Sequence, residues 1–334
     1  MNASPALLRR VLLASPIWLA LGCGTVLVRV PVMRPAEINM APYSSVGLGQ
    51  FAYSGNTNGA GAVGGLLEQE LVNANRFQVV DRQRMDAVMH ELRLSASDLA
   101  DPSSAAKLGK QVTAGALIFG DVSENYQEQD TEEHSQDKDN KPHTDFKRRG
   151  TANVRATFRV VDVASGRLLI SKQYAEKRED SHSARDKKPE PIDREQLLIA
   201  GRAEVVSRFM KAIVPHQEFA NANFQKDGDL PQLEGGIGWA ERGEWKKAQE
   251  TFNGAIADAE KNPKIKSETL AKAFFNLGLS YEYAGDYDKA QKMVEKAQQL
   301  SGNNDYLREI DNIRQLQADQ KKLAEQTAPP AGTN

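Results

Sequence analysis

The pattern of hydrophobic and polar residues divides the chain into a part that alternates strands with helices and a C-terminal part that is helical. Runs of β-branched or alternating residues predict strands, and apolar residues at spacings of three and four predict helices. The predicted strands are 26–32, 46–53, 77–80, 116–122, 153–163 and 167–174, and the helices of the same part are 64–74, 84–94, 103–111 and 194–214. βαβ units followed by an antiparallel hairpin indicate a mixed-sheet α/β domain.

Two charged stretches interrupt this domain, at residues 127–149 and 176–193. Both are dense in Asp, Glu, Lys and Arg, and neither has the apolar alternation of a half-buried strand. Because such segments cannot bury enough apolar surface to offset the entropy of ordering them, both are predicted to be mobile, solvated loops.

One pattern occurs twice in the C-terminal part, with the same residue types at the same offsets. The first copy has Trp239, Gly243, Trp245, Ala248 and Phe252, and the second has Tyr281, Gly285, Tyr287 and Ala290, with Gly278 in the preceding helix. The glycines allow a turn between two helices, and the alanines allow those helices to approach closely. The pattern matches the tetratricopeptide signature, whose helix-turn-helix units stack into a concave surface that binds peptides or other proteins. A third helix, over 305–326, is predicted to cap the stack.

The N-terminus has the features of an export signal with a lipid-attachment site. Arg9 and Arg10 precede an apolar run of about eleven residues, too short to span a bilayer as a helix, which needs about 20 residues. Cys23 follows this run, with the small residue Gly22 before it. We interpret Cys23 as the residue that is acylated, and an ordinary secretory signal with an incidental cysteine is the alternative. Gly24, in the place of a retention aspartate, favours the outer membrane.

These patterns predict four segments in the 334 residues. They are a lipoprotein signal peptide (1–22), an α/β domain (23–228), an all-α helical-repeat domain (229–326) and a disordered tail (327–334). The formal net charge of -2 gives no indication of nucleic-acid binding. A single cysteine excludes an intramolecular disulfide.

The α/β domain resembles the CsgG family. The resemblance covers residues 26–214 and is strongest at 77–82 (FQVVDR), at 114–121 (AGALIFGD) and at 154–171, which contains the hairpin segment VVDVASGRLL. It implies a periplasmic domain of an outer-membrane lipoprotein. The best-known members form the curli secretion channel, so the resemblance also implies homo-oligomerisation as an expectation.

One departure from the family bears on the channel function. In the family's channels each subunit contributes two amphipathic β-hairpins, in the connections that this chain fills with 127–149 and 176–193. A membrane strand needs about 9–11 residues of apolar and polar alternation, and charged side chains facing lipid cost about 2–4 kcal/mol each at the midplane. Pro142, Pro189 and Pro191 further disfavour strands there. The charge pattern therefore argues against a pore.

A glycine-rich segment offers an enzymatic alternative. Gly59–Gly64 (GAGAVG) matches the fingerprint of dinucleotide-binding loops, and Asp81 stands about where a ribose-binding acid would lie. Residues 54–58 lengthen the connection before the glycines, so that the tight turn of such loops is lost. We interpret the segment as a flexible loop with a glycine-rich helix start.

Other catalytic signals are weak in this sequence. His134, His143 and His182 lie in the charged stretches at spacings that match no zinc pattern, and His90 and His216 are interpreted as structural. The sequence contains no nucleophile elbow, P-loop or metalloprotease motif. Acylation of Cys23 would remove the only thiol. We therefore predict a protein that is not an enzyme, with no catalytic residues, no metal and no cofactor.

The preferred hypothesis is a binding protein. The lipid holds it at the periplasmic face of the outer membrane, and the tetratricopeptide module recruits a protein partner, as an adaptor or an assembly factor. The alternative is a subunit of a CsgG-type oligomeric secretion channel, which predicts a closed ring of many subunits.

Overall fold

The computed structural model describes residues 24–80, 82–95, 98 and 101–327. The predicted signal peptide, Cys23, Asp81 and residues 328–334 lie outside the described residues. The chain divides into two compact units: of the described residues, the first contains 33–217 and 319–327, and the second contains 24–32 and 218–318.

The described residues form strands and helices in the following order. The strands are β1 (Gly24–Arg34), β2 (Ser45–Gly55), β3 (Gln78–Val80), β4 (Ala116–Gln136), β5 (Pro142–Asp162), β6 (Leu168–Arg185) and β7 (His216–Lys226). The helices are α1 (Ala60–Asn73), α2 (Arg82–Glu91), α3 (Pro102–Gln111), α4 (Arg194–Ile213), α5 (Gln232–Ala240), α6 (Trp245–Lys261), α7 (Ser267–Glu282), α8 (Tyr287–Ser301) and α9 (Asp305–Thr327).

The first unit is built on a five-stranded mixed sheet in the order β3-β2-β4-β5-β6. β2 pairs in parallel with β3 and β4, whereas β4, β5 and β6 pair antiparallel. One apolar cluster joins α1 and α4 to the sheet, and its centre is the stack of Phe158 on Phe209, with ring centroids 4.3 Å apart. A second cluster contains Met85 of α2, Leu108 of α3 and Phe119 of β4. Since both clusters lie against one sheet, the predicted mixed-sheet α/β fold is confirmed.

The prediction of loops in the two charged stretches was wrong for most of their length. β4 and β5 pair without interruption as far as Gln136↔Pro142, and β5 and β6 pair as far as Asp145↔Arg185. We call the extension formed by 125–136, 142–153 and 177–185 the arm. It is about 11 residues long, which is about 36 Å at the usual rise of a strand. Of the two charged stretches, only the turn at 137–141 and residues 186–193 lie outside the strands.

Backbone pairing and cross-strand charges explain why these polar residues form strands. Neighbouring strands satisfy one another's N–H and C=O groups, so the arm needs no apolar face to order its backbone. Arg148 of β5 donates to Asp130 of β4 at 2.9 Å, and Arg185 of β6 donates to Asp145 of β5 at 3.1 Å. Opposite charges in such cross-strand pairs stabilise a sheet, an effect that composition alone does not reveal.

We expect amide hydrogens of β5 between Thr144 and Thr151 to exchange slowly with solvent, because β5 is bonded to a neighbour on each side. Lys187 and Lys188, in the equally charged segment without regular structure, provide the internal control and are expected to exchange fast. Hydrogen–deuterium exchange followed by mass spectrometry measures both. Fast exchange throughout 127–149 would contradict the strands and would mean that this stretch is a loop in solution.

The second unit combines a two-stranded sheet, β1 with β7, and a stack of helices that begins with α5. Val28 and Val30 of β1 and Phe224 of β7 are buried in the same cluster as Phe252 of α6. The sequence placed 24–32 and 216–228 in the α/β domain and predicted no strand over 216–226. The structure instead packs both strands on the helices, because their alternating apolar residues complete the helical core.

The C-terminal end of α9 belongs to the first unit. The side-chain amide of Gln326 accepts from the backbone N–H of Ala36 and donates to its carbonyl, both at 2.8 Å. α9 ends at Thr327, one residue beyond the predicted end of the helical-repeat domain at 326. Among the described residues, no helix combines the length and apolar character needed to cross a membrane.

Candidate functional site

The predicted tetratricopeptide residues lie in the second unit at equivalent places of two helix-turn-helix pairs. Gly243 lies between α5 and α6 with φ +71°, and Gly285 lies between α7 and α8 with φ +85°. Both angles are in the left-handed region, which glycine adopts without strain. Ala248, Phe252 and Ala290 are fully buried beyond these turns.

Two glycines bring the paired helices into close contact. A Cβ atom on Gly278 of α7 would lie 2.6 Å from Val294 of α8, and a Cβ atom on Gly236 of α5 would lie 2.3 Å from the ring of Phe252. Gly236 was missed in the sequence analysis. The signal was present, because Gly236 precedes Gly243 by seven residues, as Gly278 precedes Gly285.

We expect Gly236→Ala to destabilise the second unit by about 1–3 kcal/mol, because the added methyl group overpacks the α5–α6 contact. Gly254, on the exposed side of α6, is the matched control, since a Cβ atom there meets nothing within 4 Å. Gly254→Ala is expected to stabilise by about 0.5–1 kcal/mol through helix propensity. Urea denaturation followed by tryptophan fluorescence measures both, and equal effects of the two variants would contradict the close packing.

The aromatic residues of the signature differ in how far they reach the surface. Trp239 is 36% exposed, and the cations of Lys247 and Arg242 lie 4.6 and 5.9 Å from its ring centroid. Tyr281 is its counterpart in the second repeat, and the ammonium group of Lys289 lies 5.4 Å from the centroid of the Tyr281 ring. Tyr281, Trp245 and Tyr287 are half-buried against the helical core. The signature therefore leaves Trp239 as an accessible aromatic with cations beside its ring.

One face of α7 is covered by a strand of this chain. The amide of Asn276, fully buried, accepts from the backbone N–H of Gln225 in β7 and donates to its carbonyl, both at 2.8 Å. Lys272, one turn earlier on α7, donates to Asp227 at 2.8 Å. Asn276 therefore holds β7 against α7 through both backbone groups of Gln225.

A buried pair of carboxyl groups lies deeper in the same unit. Glu282 of α7 is 1% exposed, and among the described residues no donor is in hydrogen-bonding geometry with either carboxyl oxygen. Burial, and then the carboxylate of Glu309 on α9, raise the pKa of Glu282 to about 10. Burial also raises the pKa of Glu309. Like charges cannot both be ionised at close range away from water, so the pair holds a proton at neutral pH.

The glycine-rich segment lies in the first unit, and its amino end is occupied by a carboxylate. Gly59 precedes α1, and a Cβ atom on it would lie 1.8 Å from Oε1 of Glu124. Arg202 donates to both oxygens of Glu124, at 2.8 and 3.0 Å, and Thr57 donates to Oε2 at 2.9 Å. The start of α1, where a dinucleotide-binding loop would hold a pyrophosphate, is therefore occupied by the ion pair of Glu124 and Arg202. Gly59 makes room for Glu124.

The histidines of the arm form no catalytic relay. Oγ of Ser135 lies 2.8 Å from Nε2 of His143, and Oδ2 of Asp145 lies 3.2 Å from the same nitrogen. A nucleophile and an orienting acid must contact opposite ring nitrogens, so this trio cannot transfer a proton as a hydrolase triad does. His134 contacts Thr144, and His182 contacts the carbonyl of Glu190. Within the described residues no group of three or more potential ligands could hold a metal ion.

Comparison with protein families identifies both units. Residues 42–185 match the model of the curli production assembly/transport component CsgG, and residues 240–301 match a tetratricopeptide repeat model. The chain thus contains a CsgG-family domain followed by tetratricopeptide repeats, which confirms the resemblance stated above. Neither is an enzymatic type of domain, and a CsgG domain fits an envelope protein. No curated protein sequence matches the chain at a significant level.

Several solved structures are similar to part of the chain. The C-terminal domain of LpoB from Salmonella enterica has 17% identity and a TM-score of 0.29, over 41% of this chain and 86% of that one. A PelC dodecamer from Paraburkholderia phytofirmans has 11% identity and a TM-score of 0.26, over 56% and 98%. Lipoprotein GNA1162 from Neisseria meningitidis has 14% identity and a TM-score of 0.31, over 50% and 97%. Similarity at this level carries no functional conclusion.

Proposed function

We propose that this protein is a lipid-anchored adaptor of the bacterial envelope, which holds a protein partner through its tetratricopeptide module at the periplasmic face of the outer membrane. The anchor is Cys23, acylated after removal of residues 1–22. The two domain types support the proposal, because one fits an envelope protein and the other is a module that binds proteins.

The exposed side chain of Trp239 is the observation that carries the proposal. Tryptophan is highly buried on average, and tryptophan and arginine are enriched among residues that dominate binding energy. Trp239 has Arg242 and Lys247 beside its ring, so it presents an apolar surface with positive charge at its border. Because β7 already covers one face of α7, the surface around Trp239 is where we place the partner.

In-cell photocrosslinking tests the adaptor. A photoreactive amino acid replaces Glu241, exposed two residues after Trp239, in one strain and Lys296, exposed on α8, in another. The proposal expects one discrete crosslinked product at position 241 and none at 296, and it expects Trp239→Ala to weaken co-purification of that product at least tenfold. Equal crosslinking at both positions, or none at 241, would exclude the surface around Trp239 as the partner contact.

The arm favours a second candidate function, a subunit of an oligomeric CsgG-type assembly. Its outer strands, β4 beyond Tyr126 and β6, carry backbone groups that no further strand of the described chain bonds. Open edges of this kind pair with edges of other copies, and head-to-tail pairing closes into a ring. The native mass of the lipidated protein in mild detergent distinguishes the two functions: a closed ring of many subunits supports the assembly, and a monomer or dimer contradicts it.

A further inference from the structure

Among the described residues, no layer packs on the outward face of the two-stranded sheet in the second unit. Along β1, residues 26, 28 and 30 point inward, and Thr25, Leu27, Arg29 and Pro31 are exposed. Along β7, Ala222 and Phe224 are buried, and Phe219, Asn221 and Asn223 are exposed. A sheet face with large apolar side chains is normally covered by a second layer.

This face combines two large apolar side chains with small polar neighbours and one positive charge. Leu27 is 55% exposed and Phe219 is 58% exposed. The guanidinium of Arg29 lies 4.8 Å from the ring centroid of Phe219. Of the outward side chains at 25–31 and 219–223, only that of Arg29 is charged. Leucine and phenylalanine beside a cation are typical of surfaces that enter the boundary between lipid headgroups and acyl chains.

The position of the strand in the sequence places this face next to the acyl chains. β1 begins at Gly24, so no linker separates the sheet from Cys23. Consecutive Cα atoms are about 3.8 Å apart, so the Cα of Leu27 is at most about 15 Å from that of Cys23. Since the lipid of an acylated Cys23 lies in the bilayer, Leu27 is confined to the depth of the headgroups and the water beside them.

We propose that the outward face of β1 and β7 docks on the phospholipid surface to which Cys23 is anchored, with Leu27 and Phe219 inserted at the headgroup level. This rests on the anchor in the proposed function. Docking adds a contact to the lipid tether, so the second unit lies on the membrane and the protein does not turn freely about its anchor.

The chain has a single cysteine, which allows a specific labelling experiment. Phe219→Cys and Leu27→Cys each introduce a thiol for an environment-sensitive fluorophore, and Lys296→Cys on α8 is the control. The full-length, lipidated variants are reconstituted into phosphatidylethanolamine–phosphatidylglycerol vesicles that contain a spin-labelled lipid quencher. Circular dichroism first confirms that each variant is folded.

The proposal expects the fluorophores at 27 and 219 to be quenched at least threefold more than the one at 296, with blue-shifted emission. Equal, weak quenching at all three positions, with Cys23 acylated, would overturn the docking and leave the anchor intact. A wild-type protein whose own thiol reacts with the fluorophore shows that Cys23 is not acylated. That result would overturn the anchor and, with it, the docking that depends on the tether.

Discussion

Replacement of Arg202 by methionine is expected to lower the free energy of unfolding of the first unit by about 3–5 kcal/mol. Glu124 is fully buried, and its carboxylate is held by both guanidinium contacts of Arg202. Hydrogen bonds to Glu124 and then Glu195 raise the pKa of Arg202, so the guanidinium keeps its positive charge. Without Arg202 the carboxylate is left in the core with only the hydroxyl of Thr57, which does not offset its desolvation.

The expected loss is specific to the buried charge. The double variant Arg202→Met, Glu124→Met removes both charges and is expected to recover most of the stability. Arg208 on the same helix is the control, since its side chain is 47% exposed and its ion pairs are at 3.8 and 3.9 Å. Arg208→Met should change stability by about 0.5 kcal/mol or less.

Hydrogen exchange of the α4 amides is the appropriate measurement, because Trp239 and Trp245 report on the second unit only. A double variant that is no more stable than Arg202→Met would show that the guanidinium acts through packing and not through the Glu124 charge. Loss of stability in Arg208→Met equal to that in Arg202→Met would point to helix propensity instead.

Local patterns predicted the elements that bury one apolar face. The strands 46–53 and 116–122 and the helix 194–214 agree with β2, the first part of β4 and α4 to within a few residues, apart from the arm. Their apolar periodicity reports directly which face is buried. The strands of the arm were not predicted, because they are ordered by pairing with one another and not by burial of an apolar face. Their sequence therefore shows no apolar periodicity.

Some residues of the candidate sites could be predicted from local sequence, and others could not because their contacts join residues distant in the chain. Trp239 and the turn glycines could be predicted because they belong to an internal repeat, which is visible in the sequence itself. The contact between Gly59 and Glu124 could not, because Glu124 is 67 residues from Thr57 and 78 from Arg202 in the chain. β7 was missed because its strand HQEFANANFQK buries only Ala222 and Phe224 fully, and the helices that cover them come later in the chain.

Glu282→Gln is expected to stabilise the second unit, with an advantage that grows as the pH rises. The folded protein keeps a proton on Glu282, whose pKa is raised to about 10, whereas the unfolded chain releases it above its ordinary pKa of 4.5. Between these values the folded state binds the additional proton. The free energy of unfolding therefore falls with increasing pH, by about 1.4 kcal/mol per pH unit for one proton.

Glutamine removes this dependence, because it has the shape of the protonated acid, cannot ionise and can donate to the Glu309 carboxylate. Urea denaturation followed by tryptophan fluorescence at pH 4, 6 and 8 measures the effect, since both reporting tryptophans belong to this unit. Glu268→Gln, at an exposed position of α7, controls for the substitution itself. The variant should match the wild type at pH 4 and exceed it clearly at pH 8. A constant difference across this range would mean that the carboxyl pair does not retain its proton in the folded protein, and that α7 and α9 accommodate two charges.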